Sequence, residues 1–309
     1  MKKKVTVVGA GNVGSSLAQM IAQDGSADVV LCDITEGIPQ GKALDLSEAC
    51  PLWGSSSSVI GANDYAPTAD SDIIVVTAGL ARKPGMSRDD LLQANAKVVS
   101  DVVTKTSKLS PKSIIITVTN PMDIMAQLSL KSSGFDSCRV VGMGGILDSA
   151  RFRTFVAWEL GVSPQDVEAL VLGGHGDLMV PMPRFTTVKG VSLPLLLSAE
   201  RIDALVRRTR SGGAEVVSLL KTGSAYYAPA AATYQMVRSI IYDEKRILPC
   251  AAYLNGEYGT RGVYTGVPVL LGGSGIEKII ELSLNEQEEK DFANSVEAVR
   301  SLVEQLKLS

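Results

Sequence analysis

The chain is poor in the residues that most metal and thiol chemistry needs. His175 is the single histidine in 309 residues. The four cysteines, Cys32, Cys50, Cys138 and Cys250, are scattered, and none forms a C-x-x-C pair. One imidazole cannot complete a Cys/His zinc set, so no metal is expected, and the thiols read as reduced cysteines of a cytoplasmic protein. An excess of positive charge is missing too. Lys+Arg 30 against Asp+Glu 33 gives a net charge of −3, which leaves no electrostatic footprint for nucleic acid or for an anionic membrane. An anionic ligand must then be caught by a few local arginines. No run approaches the ~18 apolar residues of a membrane span. The opening MKKKVTVVGAGNVG begins like a signal peptide, but Gly9, Gly11 and Gly14 interrupt the apolar stretch and no small-residue cleavage site follows. Internal repeats and low-complexity segments are absent, apart from the short serine turn Ser55–Ser58.

What is present is a soluble, globular composition, 45% hydrophobic and 20% charged, on a chain long enough for about two domains. The first half alternates strand and helix. VTVV (5–8) is short, β-branched and unalternating, as a strand buried on both faces should be. DVVLCD (28–33), SDIIVVTAG (71–79), KSIIITVTN (112–120) and CRVVGM (138–143) repeat the pattern. Helices are expected over SSLAQMIAQDG and over 88–108, where Leu91, Leu92, Asn95, Val98, Val99, Val102 and Val103 form one stripe. Such alternation predicts an α/β, doubly wound parallel sheet of Rossmann type over 1–147.

After about residue 148 the pattern becomes mixed α+β, and a second domain is expected over 148–309, packed on the carboxyl edge of the first. DSARFRTFVAWELG reads as a helix closed by Gly161. VEALVLGG and MVPMPRFTTVKG read as strands joined by the turn carrying His175. SAERIDALVRRTRSGGAEVVSLLK reads as a helical stretch interrupted at Gly212 and Gly213. GVYTGVPVLLGGSG reads as antiparallel strands with glycine turns, and NEQEEKDFANSVEAVRSLVEQLK as an amphipathic helix.

Gly9-Ala10-Gly11-Asn12-Val13-Gly14 fits G-x-G-x-x-G, between a strand and a helix. The first glycine permits a tight turn, the second lets a pyrophosphate approach the backbone, and the third lets helix and strand pack closely. The helix N-terminus offers unpaired N–H groups to the phosphates. Asp33 closes the next strand, 19 residues beyond Gly14. A carboxylate there accepts from ribose hydroxyls and repels a 2′-phosphate, and Ile34, Thr35 and Glu36 supply no cation, which favours NAD over NADP.

Arg82 and Arg88 lie in GLARKPGMSRDD, a loop with the character of a lid over an anion. Asp148 and Arg151 share a helix face. A carboxylate such as Asp148, bonded to one nitrogen of His175, would fix the tautomer and leave the other to exchange a proton. A structural histidine in a glycine turn is the alternative reading of the same residues.

VGAGNVG, GLARKPGMSR, VTNPMD, GGILDSARFRTF and GGHGDLMVP together resemble the lactate/malate dehydrogenase family over essentially the whole chain, nearest to the lactate-dehydrogenase-like malate enzymes of bacteria. The resemblance implies reversible hydride transfer between (S)-malate and NAD, giving oxaloacetate and NADH. It implies His175 as proton donor and acceptor, Asp148 as its partner and Arg151 as a two-pronged grip on the substrate carboxylate. Arg88 would polarise the carbonyl, Asn120 would bond substrate and cofactor, and Asn95 and Val118 would contact the cofactor. Asn12 and Val13 would join the three glycines around it. Ser224 would lie near the substrate. Arg82 stands where lactate enzymes of the family look to carry Gln, and a second lid cation suits a dicarboxylate. The family also implies a homo-oligomer, with a tetramer favoured over a dimer. A lactate dehydrogenase, an NAD-dependent glycosidase and a non-catalytic NAD-binding module are the alternative functions.

Overall fold

The computed structural model describes residues 2–80 and 88–306, with the side chain of Arg88 outside the described set. Six parallel strands form the centre of one sheet: β1 (Lys3–Val8), β2 (Ala27–Cys32), β3 (Val59–Ala62), β4 (Ile73–Val76), β5 (Ile114–Thr117) and β6 (Val140–Gly142). Their spatial order is β6-β5-β4-β1-β2-β3, so the winding reverses between β1 and β4. The strands IIVV and IIIT are buried at every position, because helices cover both faces of the sheet. The reversal leaves a crevice beyond the carboxyl ends of β1 and β4, where ligands of such sheets bind.

The crossover helices of this half are α1 (Asn12–Asp24), α2 (Ile38–Ala49), α3 (Arg88–Leu109) and α4 (Met122–Ser133). Helix α5 (Gly145–Leu160) follows β6 and ends, as expected, at Gly161, whose φ of 66° is the left-handed cap that glycine adopts without strain. Five two-residue strands come next: β7 (Val167–Glu168), β8 (Val171–Leu172), β9 (Val180–Pro181), β10 (Thr187–Val188) and β11 (Val191–Ser192). They make two small sheets, β8-β9 and β11-β10-β7. Helices α6 (Ala199–Leu220) and α7 (Tyr227–Ile241), strands β12 (Arg246–Asn255), β13 (Arg261–Gly272) and β14 (Gly275–Ile279), and helix α8 (Glu286–Gln305) complete the chain.

Several expectations change. The stretch VEALVLGG is two short strands in different sheets, separated by Ala169 and Leu170. Helix α6 runs through Gly212 and Gly213 without interruption. The glycines serve packing there: a Cβ on Gly212 would lie 3.1 Å from Arg151 Cδ, so the bare helix surface is the bed on which that arginine lies. The segment GVYTGVPVLLGGSG forms antiparallel strands joined by a glycine turn, as expected, and with β12 they extend the parallel sheet of the first half. The join is the antiparallel bridge between Ala251 and Gly142. Helix α8 forms as expected, closed at its start by a reciprocal capping box between Asn285 and Glu288.

Candidate active site

The glycine loop sits at the winding reversal, and each glycine has a separate physical reason. Gly9 has φ 108°, and a Cβ there would meet Thr77 Oγ1 at 2.6 Å. A Cβ on Gly14 would lie 1.8 Å from the Gly9 carbonyl oxygen, so only glycine lets α1 pack on the end of β1. Gly11 is different: nothing lies within 4 Å of its would-be Cβ. It caps α1 without any side-chain hydrogen bond, which leaves the first-turn N–H groups of Asn12, Val13 and Gly14 to a ligand. Open space over an uncapped helix N-terminus fits a pyrophosphate.

Asp33 lies just past β2, across the loop. Its Oδ2 accepts from Ala10 N–H at 2.8 Å and its Oδ1 from Thr35 N–H at 2.9 Å. Partial burial raises its pKa, but the Thr35 and Ala10 N–H bonds and the Lys42 charge outweigh this and hold the carboxyl below its ordinary value. Lys42, which sequence reasoning missed, donates to Ala10 O at 2.6 Å and to Ser15 Oγ at 2.9 Å, bracing the loop from α2. That helix carries Pro39 and Gly41 in a weakly amphipathic stretch, so no periodic signal marks it.

The second group of residues converges from three elements. His175 sits in the turn between β8 and β9, and its Nδ1 is 2.7 Å from Asp148 Oδ2. Asp148, in the first turn of α5, is 1% exposed. Its other oxygen, Oδ1, accepts from Arg151 Nη1 at 3.1 Å, one turn further along the helix. Each carboxylate oxygen therefore has its own partner, and Nε2 of the imidazole remains for chemistry. Burial depresses the imidazole pKa, while the charge and hydrogen bond of Asp148, with a contribution from Asp123, more than restore it; Arg151 opposes them. The net direction is upward from 6.5. The remaining N–H groups of Arg151 have no hydrogen-bond partner among the described residues, which suits a fork for a carboxylate.

Asp123, at the start of α4, is a further residue that sequence reasoning missed. Its Oδ2 accepts from the His175 backbone N–H at 2.7 Å. The signal was available in VTNPMD, as an acidic residue two places beyond Pro121 in an otherwise apolar helix start.

Asn95 is 2% exposed on α3, and its amide is fully engaged. Oδ1 accepts from Leu80 N–H at 2.7 Å, and Nδ2 donates to Asn120 O at 2.8 Å and Leu80 O at 3.3 Å. It ties the end of one loop to the next through the main chain of Leu80 and Asn120. Val118 is nearly buried just past β5, with its N–H bonded to Val76 O at 2.9 Å. Asn120 is exposed at the mouth of the crevice and precedes the cis Asn120–Pro121 peptide. Ser224 is exposed on the loop joining α6 to α7. Arg82, and the side chain of Arg88, lie outside the described residues.

A dinucleotide-type crevice beside a buried carboxylate–imidazole pair has counterparts in known proteins. The family description "lactate/malate dehydrogenase, NAD binding domain" matches residues 3–142, and "lactate/malate dehydrogenase, alpha/beta C-terminal domain" matches 146–308. The chain belongs to the lactate/malate dehydrogenase family. It is an NAD-dependent oxidoreductase on the family's Rossmann fold. A malate dehydrogenase of Rhodopirellula baltica is 58% identical over 98% of this chain and 96% of that protein. One from Methanosarcina barkeri is 52% identical over 99% of both. Among solved structures, the malate dehydrogenase of Salinibacter ruber superposes with a TM-score of 0.94 at 48% identity, covering 98% of this chain and 97% of that one. A lactate dehydrogenase of Cryptosporidium parvum, complexed with lactic acid and NAD, superposes with a TM-score of 0.96 at 42% identity, covering 100% and 99%. The shared fold thus spans enzymes named for either substrate, while the relatives at 51–58% identity cited here and alongside them carry the malate name.

Proposed function

We propose that the chain is an NAD-dependent malate dehydrogenase whose acid–base pair is His175 with Asp148. The observation that carries this reading is the His175–Asp148–Arg151 chain. A proton-exchanging nitrogen and a carboxylate-gripping cation are held by the two oxygens of one buried aspartate. When bound, the nicotinamide supplies or accepts the hydride at the carbon that carries the oxygen. His175 Nε2 takes the hydroxyl proton as (S)-malate is oxidised and returns it as oxaloacetate is reduced. Asp148 fixes the tautomer and stabilises the imidazolium. Arg151 holds the carboxylate next to the reacting carbon, and the bed on Gly212 and Gly213 aims it.

Gly9, Gly11 and Gly14, with the N–H groups of Asn12 and Val13, would receive the pyrophosphate. Asp33 would receive the adenosine ribose, and Val118 and Asn120 would border the nicotinamide end. Asn95 supports that wall through the main chain of Leu80 and Asn120. Arg88 is assigned to polarise the carbonyl and Arg82 to meet the second carboxylate. The role of Arg82 makes the choice of substrate a matter of charge. Closing a loop over an unpaired arginine costs several kcal/mol after relaxation, so a monocarboxylate is disfavoured. The reading includes a cofactor domain over 1–147, a substrate domain over 148–309, a homotetramer and a cytoplasmic location. No helix among the described residues is long and apolar enough to cross a membrane.

The test is a steady-state comparison of oxaloacetate and pyruvate with NADH and NADPH. Oxaloacetate with NADH should be preferred by orders of magnitude in kcat/KM, and Arg82→Gln should narrow or reverse the substrate gap. A wild-type preference for pyruvate would replace this reading with lactate dehydrogenase. An equal loss on both substrates in Arg82→Gln would refute the charge argument.

A further inference from the structure

The turn that carries His175 is held from behind by two side chains that the chemistry does not otherwise use. Ser295 on α8 accepts from Gly174 N–H at 2.8 Å, and Asp123 on α4 accepts from His175 N–H at 2.7 Å. A Cβ on Gly174 would touch Val299 at 2.6 Å and lie 3.4 Å from Asp123 Oδ2, so the turn is pressed tightly onto both helices. Asp123 is the unusual member of this pair. It is 3% exposed, and its Oδ1 is buried with no hydrogen-bond partner from another residue among the described residues. A neutral acceptor, such as the hydroxyl of Ser295, satisfies a backbone N–H at far lower cost than a buried carboxylate. A charge at that position therefore calls for a reason beyond holding the turn.

We infer that Asp123 is a positioning residue of the acid–base site, one that fixes the His175 main chain and supplies a second negative charge that favours the imidazolium. This rests on the proposed role of His175. The charged groups facing Asp123 are His175 on the turn and Asp148 on α5, with Arg151 behind Asp148; α8 presents the uncharged Ser295 and Val299. With His175 protonated, two carboxylates and two cations balance. With His175 neutral, the cluster carries one excess negative charge, so Asp123 draws the proton onto the ring. Burial pushes the Asp123 carboxyl up to about 6, against the His175 N–H bond and charge, so it is ionised above that pH and loses its pull below it. Each group lies in the other's field, so the ionisation of one shifts the titration of the other.

The test compares Asp123→Asn, which keeps an acceptor oxygen for the His175 N–H and removes the charge, with Ser295→Ala, which removes a hydrogen bond and leaves every charge. Because His175 is the only histidine, proton NMR reads its titration directly, without any need for turnover. Asp123→Asn should move the imidazole midpoint to lower pH, and Ser295→Ala should leave it in place. In steady state, Asp123→Asn should lower oxaloacetate reduction by about three- to tenfold on the alkaline side of the midpoint and raise malate oxidation on the acid side. A purely structural role lowers both directions together at every pH. An unmoved imidazole midpoint in folded Asp123→Asn, or that parallel loss, overturns the inference. If Asp123→Asn does not fold, the wild-type imidazole carries the test: its signal should sense a second ionisation on the acid side of its own, and a simple one-step titration refutes the coupling. Absence of malate or oxaloacetate turnover in the wild type, with the NMR coupling intact, would overturn the proposed function alone.

Discussion

Two single-methyl additions separate a glycine that the fold needs from a glycine that the ligand needs. At Gly14 the added carbon would lie 1.8 Å from the Gly9 carbonyl oxygen and 2.9 Å from Thr77 Oγ1. The obstacle is backbone, and it is pinned: the same carbonyl accepts from Thr77 Oγ1 at 3.0 Å. Helix α1 must therefore move off β1 by more than an ångström. Overpacking of this kind costs about 1–3 kcal/mol, and a rigid backbone obstacle belongs at or above the upper end. At Gly11 the dihedrals, φ −69° and ψ −171°, suit alanine, and the added carbon meets nothing within 4 Å. Alanine in place of glycine at a helix N-cap costs only about 0.5 kcal/mol. If the pyrophosphate lies over Gly11, the methyl occupies its path, and a displacement from the α1 N–H groups should weaken NADH by about a hundredfold, or about 2.8 kcal/mol.

The assay is thermal unfolding without cofactor, paired with NADH titration by fluorescence at fixed pH. Gly11→Ala should melt close to the wild type and bind NADH poorly. Gly14→Ala should melt several degrees lower and also bind poorly, because its helix N-terminus has moved. Wild-type NADH affinity in a stable Gly11→Ala would refute the placement of the pyrophosphate. A Gly14→Ala as stable as the wild type would refute the packing argument.

Three further outcomes are expected. Asp33→Ser with Ile34→Arg should raise kcat/KM with NADPH relative to NADH by at least about tenfold, since a cation replaces a carboxylate near the 2′ position; an unchanged ratio would remove Asp33 from cofactor choice. Oxaloacetate reduction and malate oxidation should show opposite pH dependence through one shared ionisation, reduction failing and oxidation rising as pH climbs through the raised pKa of His175; parallel profiles would exclude the imidazole as the exchanging group. The same raised pKa makes the protonated His175–Asp148 pair a source of stability that is fully present below pH 6.5 and lost as pH rises through the folded value, so His175→Asn should abolish that part of the pH dependence of melting.

The fold was most legible where burial is complete on both sides. The runs VTVV, DVVLC, IIVV and IIIT announce themselves because a strand covered by helices on both faces carries no polar alternation. The elements left unread are those with a weak local pattern or with partners far away in sequence. Strand β3 has one exposed and one half-buried position among its four residues, and α2 has no strong apolar stripe. Strand β12 joins the sheet through a single bridge between residues more than a hundred positions apart. The diglycine of α6 misled for a related reason. Read locally, Gly212-Gly213 weakens a helix; its compensation, the Arg151 side chain lying against it, comes from another helix and leaves no trace in the local sequence.

The site divides along the same line. The glycine loop and Asp33 could be read directly, because strand, turn and helix N-terminus are contiguous and Gly9 and Gly14 answer steric demands within the motif or beside it. His175 was conspicuous only by being alone, and its partner could be named but not measured. The 2.7 Å contact with Asp148 requires α5 and the β8–β9 turn to meet, which local periodicity does not specify. Asp123 escaped notice because it looks like any acidic residue in the first turn of a helix, where the helix dipole already accounts for it. Beyond its place in VTNPMD, burial distinguishes it, since a solvated carboxylate at that place stabilises α4 whereas this one is buried against the back of the His175 turn. The local rule and the tertiary cost thus point in opposite directions at one residue, and such conflicts are where function is expected to have set the choice.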